Sequence, residues 1–233
     1  MKKFLKWLFL STVMIIILIG SVFTYQGYNL YKDAINETSI EEKIEEIKSE
    51  VDDYVAYGEL PQDYINAVIA VEDRRFFEHN GVDIISIGRA IAQDIKEREL
   101  VEGGSTITQQ LAKNTYFTQR KEFTRKIAEI FTAFEYENVC TKEQILELYV
   151  NTIYYGDGYY CISDAANGYF DKEVGDLDLY EMTLLAGIPN APSVYAPTKN
   201  PELARQRQAQ VLSKMVKYKY LSKEKADEIL NNM

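Results

Sequence analysis

The chain has 233 residues, 46% of them hydrophobic and 12% aromatic. That is enough apolar material for one good-sized core, fits one domain better than two, and excludes a disordered tail protein. Four lysines and no acid fall in the first 32 residues, which leaves 22 basic against 36 acidic residues, a net of −14, for the remainder. A body that acidic lacks the basic footprint of a general nucleic-acid binder. One histidine (His79) and two cysteines (Cys140, Cys161) are too few for a zinc site of the usual Cys/His kind or a disulfide scaffold.

Residues Trp7 to Tyr25 form an uncharged apolar run of 19, close to the length a helix needs to cross a hydrocarbon core. Lys2, Lys3 and Lys6 precede it, so the positive-inside rule keeps residues 1–6 cytoplasmic and puts everything after Tyr25 outside. A cleaved signal peptide is the competing reading, but no Ala-x-Ala site follows the run. Residues 26–57 read as a stalk: Ile40, Ile44, Ile47, Val51 and Tyr54 recur at helical spacing behind a Ser39/Glu42 capping signature. Such a helix either lies on the membrane or packs on the core as a connector. Leu60-Pro61 reads as a joint, and the body occupies 58–233.

In the body, helical patterns cover 64–77, 84–98, 105–114, 122–138, 142–151, 179–187, 201–219 and 223–232, and no convincing period-two strand interrupts them. The expected class is therefore mostly α. Asn114 to Lys121 and Tyr154 to Cys161 are irregular, as binding loops often are, and Gly103-Gly104 marks a third break.

Chemistry gathers in three places. The stretch 72–83, E-D-R-R-F-F-E-H-N-G-V-D, closes a helix whose preceding residues are apolar. A carboxylate such as Glu72 at that buried end suits a general base, although acids beside Arg74 and Arg75 are more often solvated ion pairs. The stretch 103–114, G-G-S-T-I-T-Q-Q-L-A-K-N, offers hydroxyls and free N–H groups at a helix start, a seat for sugar hydroxyls or an anion, or simply a cap. Residues 113–126 carry Lys113, Arg120, Lys121, Arg125 and Lys126 against Glu122 alone, a local +4 that fits an anionic ligand the size of pyrophosphate or a solvated charge run. Arg125 and Glu129 stand at i,i+4, a spacing at which a surface pair contributes only ~0.3–0.5 kcal/mol. Asp176-Leu177-Asp178 reads as a helix cap rather than a transferase motif. Ser222-Lys223-Glu224-Lys225 matches Ser-x-x-Lys, but ten residues from the chain end it has no room for acyl-transfer chemistry.

With those stretches in view, the chain resembles the peptidoglycan glycosyltransferases of family 51, over about residues 58–215. Five ordered motifs carry the likeness: the two stretches quoted above, R-K-I-A-E at 125–129, K-E-Q-I-L-E-L-Y-V-N at 142–151 and L-L-A-G-I-P-N-A-P-S-V-Y-A-P at 184–197. The resemblance implies a lysozyme-like two-lobed domain behind one N-terminal transmembrane helix, with a smaller membrane-associated lobe. It implies polymerisation of lipid II into β-1,4-linked glycan with release of undecaprenyl pyrophosphate. Glu72 then matches the general base and Glu129 the carboxylate that assists the leaving group, directly or through a divalent ion. Lys113, Arg125 and Lys126 would neutralise charge on the pyrophosphate. Asp73, Arg75, Ser105, Thr106, Gln109, Gln110 and Asn114 complete the implied substrate-binding set, while His79 is structural. No cofactor is required, with Mg or Mn as an option near Glu129. The implied partners are lipid II, the nascent strand, the membrane and other cell-wall synthesis proteins, and no nucleic acid.

Two positions depart from the family, Cys161 and Asp171, each where glycine is usual. Rival functions are a lysozyme-like muramidase or lytic transglycosylase, which would not need the cationic segment, and a non-catalytic anchored scaffold, which would be free to lose Glu72 and Glu129.

Overall fold

The lysine-led apolar run and the charged residues after it form one uninterrupted helix, α1 (Lys2–Glu37), in the computed structural model, which describes residues 2–97, 103–117 and 123–231. Helix α1 is long and apolar enough to cross a membrane, and its most apolar window is wholly unburied. It does not break at Tyr25. Ser39 opens α2 (Ile40–Glu50) with the expected reciprocal box: its Oγ accepts from the Glu42 N–H at 3.2 Å while the Glu42 carboxylate accepts from the Ser39 N–H at 2.9 Å. Ile40 and Ile47 are buried in the core, so α2 is a connector packed on the body.

After a 3-10 turn at Tyr57–Glu59, Pro61 starts α3 (Gln62–Glu72), which is buried on nearly every side, from Tyr64 and Ile65 through Ala67 to Val71. It packs against α9 (Leu179–Gly187) and α11 (Pro201–Lys217). A second group joins α5 (Ile107–Tyr116), α6 (Phe123–Val139) and α7 (Lys142–Val150), and α1 runs along α6. Helices α4 (Ile84–Glu97), α8 (Ile162–Phe170), α10 (Pro192–Tyr195) and α12 (Lys223–Asn231) fill the remaining positions. Among the described residues there is no strand, only the bridges Asn80↔Val82 and Gly156↔Tyr159. The mostly α, lysozyme-like class expected from the sequence holds.

Two local expectations need correction, and one irregular stretch finds its packing partners. The helix expected over 64–77 stops at Glu72, because Asp73 leaves the helical region (φ −153°) and its carboxylate meets His79 Nε2 at 2.9 Å and the Ile107 N–H at 3.1 Å. Helix α8 was not anticipated. Its sequence, ISDAANGYF, is poor in strong helix formers, and burial of Ile162, Ala165 and Ala166 supplies what propensity does not. The Tyr154–Cys161 loop is irregular as expected but faces α10 and the following turn: Gly156, at φ +87°, comes against the Pro192 carbonyl, and Asp157 pairs with Lys199.

The two departures from the family pattern differ in kind. Asp171 ends α8 in the left-handed conformation (φ 55°), a position that favours glycine. Cys161 lies in extended backbone (φ −143°) and caps α8 with its sulfur, so no glycine is needed there. Both cysteines are free and buried.

Candidate active site

Glu72 is the last residue of α3, which ends against α11 and thus presents the carboxylate at the edge of the core. Its Oε2 accepts from Gln110 Nε2 of α5 at 2.8 Å, and its Oε1 lies 3.5 Å from Arg207 Nη2 of α11. Arg207 is itself buried and fixed: Nε donates to the Gly187 carbonyl at 3.3 Å and Nη1 to Gln210 Oε1 at 2.9 Å. The base candidate is therefore held between an amide and a guanidinium supplied by two different helices.

Glu129 stands on α6 and is 2% exposed. Its Oε1 is 2.8 Å from Arg125 Nη1, and its Oε2 accepts from Lys126 Nζ at 3.0 Å. Lys126 also donates to Ser105 Oγ at 2.7 Å, which ties the helix to the segment after Gly103-Gly104. The i,i+4 spacing suited a solvated surface pair; burial of both Arg125 and Glu129 makes it an interior one.

Glu72 and Glu129 line one cavity of about 290 Å³. Six basic side chains share its wall: Arg74, Arg89, Lys113, Lys126, Arg207 and Lys214, together with Ser105, Gln109 and Gln110. Six cations against two carboxylates in a chain of net −10 give this cavity a positive lining that suits an anionic ligand. Burial pulls the Lys113 ammonium below its ordinary 10.5; Arg125 and Lys126 push the same way, while Glu129 and Glu72 oppose them.

The sequence profile described as Transglycosylase matches residues 38–216. The chain belongs to the transglycosylase family. It is 43% identical over 178 residues to a Cupriavidus necator protein named "putative transglycosylase", an alignment that covers 76% of this chain and 77% of that one. It is 44% identical over 179 residues to penicillin-binding protein 1A of Neisseria lactamica, covering 77% of this chain and 22% of that protein. With penicillin-binding protein 1F of Bacillus subtilis the identity is 45% over 172 residues, covering 74% and 24%. The chain thus spans about a quarter or less of the length of the penicillin-binding relatives.

Within this transglycosylase the expected site residues divide. Glu72, Glu129, Ser105, Gln109, Gln110, Lys113 and Lys126 meet in the cavity. Arg125 stands behind it, against Glu129. Thr106 caps α5: its Oγ1 accepts from the Gln109 N–H at 3.1 Å and donates to the Gly81 carbonyl at 2.6 Å. Asp73 anchors the same helix start and holds His79. Arg75 turns from the cavity to Asp83, 3.2 Å away, and half-buried Asn114 is not part of the wall. Arg120 and Lys121 lie outside the described residues. Asp178 caps α9 with Glu181, and Ser222 Oγ accepts from the Lys225 N–H, so the Asp-x-Asp and Ser-x-x-Lys stretches are both helix starts. Sequence reasoning missed Arg89, Arg207 and Lys214 because none lies in the dense motifs; only the fold brings them from α4 and α11 to one wall, with α11 packed on α3 and Lys214 Nζ donating to the Val71 carbonyl at 3.1 Å.

The optional divalent ion does not fit this donor set. Glu129 is already matched by Arg125 and Lys126, and no group of three His, Cys, Asp or Glu side chains among the described residues could hold a metal.

Proposed function

We propose that the chain is a peptidoglycan glycosyltransferase that polymerises lipid II into β-1,4-linked glycan strands and releases undecaprenyl pyrophosphate. The carrying observation is a single cavity that joins a carboxylate at a buried helix end to six cations, in a chain of the transglycosylase family. Glu72, oriented by Gln110 and Arg207, takes the proton of the acceptor GlcNAc 4-hydroxyl as that oxygen attacks the anomeric carbon of the donor MurNAc. The bond to the pyrophosphate breaks, and Lys113 and Lys126 neutralise the charge that develops on it. Glu129 holds Lys126 and Arg125 in place for that task. Ser105, Gln109 and Gln110 supply hydrogen bonds along the sugar path.

In this reading residues 1–6 face the cytoplasm, 7–25 span the membrane, 26–57 join the anchor to the body, and 58–233 carry catalysis outside. The membrane, the lipid-linked donor and the growing strand are the partners. Incubation of the purified full chain with lipid II in vesicles should yield a glycan ladder on a gel. Cleavage of preformed glycan with no polymer formed would turn the assignment to a lytic enzyme.

A further inference from the structure

Helix α6, which carries Glu129, is also the helix along which α1 lies. Phe23 of α1 meets Phe123 of α6 with ring centroids 6.1 Å apart; further along, Tyr28 and Tyr31 both pack on Phe131 at 5.3 and 5.7 Å. The Tyr31 hydroxyl donates to Glu135 at 3.1 Å. Between these contacts the two backbones close at Gly27, where a Cβ would lie 2.6 Å from the Ile127 side chain and 2.8 Å from the Thr124 carbonyl. No side chain fits there. The partners advance together, 23 with 123, 27 with 127 and 31 with 131, so the helices run parallel and one can be read as a ruler for the other.

From Trp7 to Tyr25 the apolar run rises about 27 Å at 1.5 Å per residue, close to a hydrocarbon core. Tyr25 and Tyr28, both exposed, stand where an interfacial aromatic belt belongs. Phe123, 81% exposed, is level with Phe23 and therefore inside the apolar band. Arg125 and Lys126 follow within one turn, level with the end of that band, where the headgroup region with its phosphates begins.

We propose that the α1–α6 seam, closed at Gly27, holds Arg125, Lys126 and Glu129 at the height of the membrane's phosphate layer, which makes Gly27 a positioning residue for a diphosphate that is itself anchored in the membrane. This rests on the glycosyltransferase reading above. A rigid register is useful because donor pyrophosphate and catalytic cations are each tied to the bilayer separately, and a displacement of a few ångströms between them can cost about 10²-fold in rate.

The test compares two substrates on full-length protein in phosphatidylethanolamine/phosphatidylglycerol vesicles: lipid II embedded in the same vesicles, and a short-chain, water-soluble analogue with the same disaccharide diphosphate. Gly27→Leu should lower kcat/KM on embedded lipid II at least about tenfold and leave the soluble analogue within about twofold, because the soluble diphosphate is free to find the displaced cleft. Equal losses on both, or no loss on either, overturn the proposal. Failure of the unsubstituted chain on both substrates would instead remove the glycosyltransferase reading. A second measurement leaves the seam intact. Trp7 is the sole tryptophan; in Trp7→Phe/Phe123→Trp, the new indole should be quenched most by lipids brominated near the headgroup end of the chains. An indole untouched by any brominated lipid would put α6 clear of the bilayer and overturn the register.

Discussion

Removing the charge of Glu129 isolates the buried ion pair that the surface reading missed. Lys126 is 42% exposed, so solvent screens its share; Arg125 and Glu129, at 15% and 2%, form the buried part of the contact. Breaking a buried pair by removing one partner costs roughly 3–5 kcal/mol, and the open cavity beside this one argues for the lower end, about 3 kcal/mol. In a chain of this size 1 kcal/mol moves Tm by ~2–4 °C, so Glu129→Met should melt roughly 6–12 °C lower. Arg125→Met/Glu129→Met removes both charges at nearly constant volume, and its loss should fall short of the summed single losses by on the order of 2 kcal/mol. Stability then recovers while polymerisation does not, since Lys126 has lost the carboxylate that holds it for its task at the pyrophosphate. Differential scanning fluorimetry of the detergent-solubilised variants, paired with a lipid II gel assay, reads both quantities. Losses additive to within about 0.5 kcal/mol would show that the two side chains do not interact, and activity restored in the double variant would refute the leaving-group role.

Lys113→Arg should move the basic limb of the pH–rate profile upward. The native Lys113 titrates below its ordinary 10.5 and loses its charge early, whereas an arginine keeps it; a limb unchanged by the substitution would contradict the role. The stability sign follows: the unfolded chain holds that proton more tightly, so the destabilising share of Lys113 fades as pH rises through its lowered value, and the pH dependence of Tm in Lys113→Met should lack that rise. Asp171→Gly relieves a left-handed residue at the end of α8 and should raise Tm by a few degrees, on the order of 1 kcal/mol, with polymerisation unchanged. Non-reducing gels and slow thiol titration should show Cys140 and Cys161 unpaired in the folded chain.

Much of the architecture was legible because it is local. The caps at Ser39 and Asp178 lie beside the helices they start, and the apolar run of α1 needs no partner to be recognised. The site was legible in its carboxylates and its cationic segment, since Glu72 and the 113–126 residues stand in dense motifs. What stayed hidden depends on sequence-distant packing. Arg207 lies 135 positions from Glu72 and reaches it only because α11 crosses α3. The Asp73 carboxylate looked like a ligand group until it met the start of α5, and the Arg125–Glu129 pair looked solvated until α5 and α1 covered α6. Helix α8 was invisible to propensity because burial, not intrinsic preference, holds it.

The most direct test of the central claim is lipid II turnover by Glu72→Gln, which keeps the size of the side chain and its contact with Gln110 while removing its basicity. The account predicts a variant that melts within a few degrees of the unsubstituted chain and loses about 10²–10⁴-fold in polymerisation rate, the usual contribution of a positioned general base. A folded Glu72→Gln that builds glycan at the ordinary rate would contradict it.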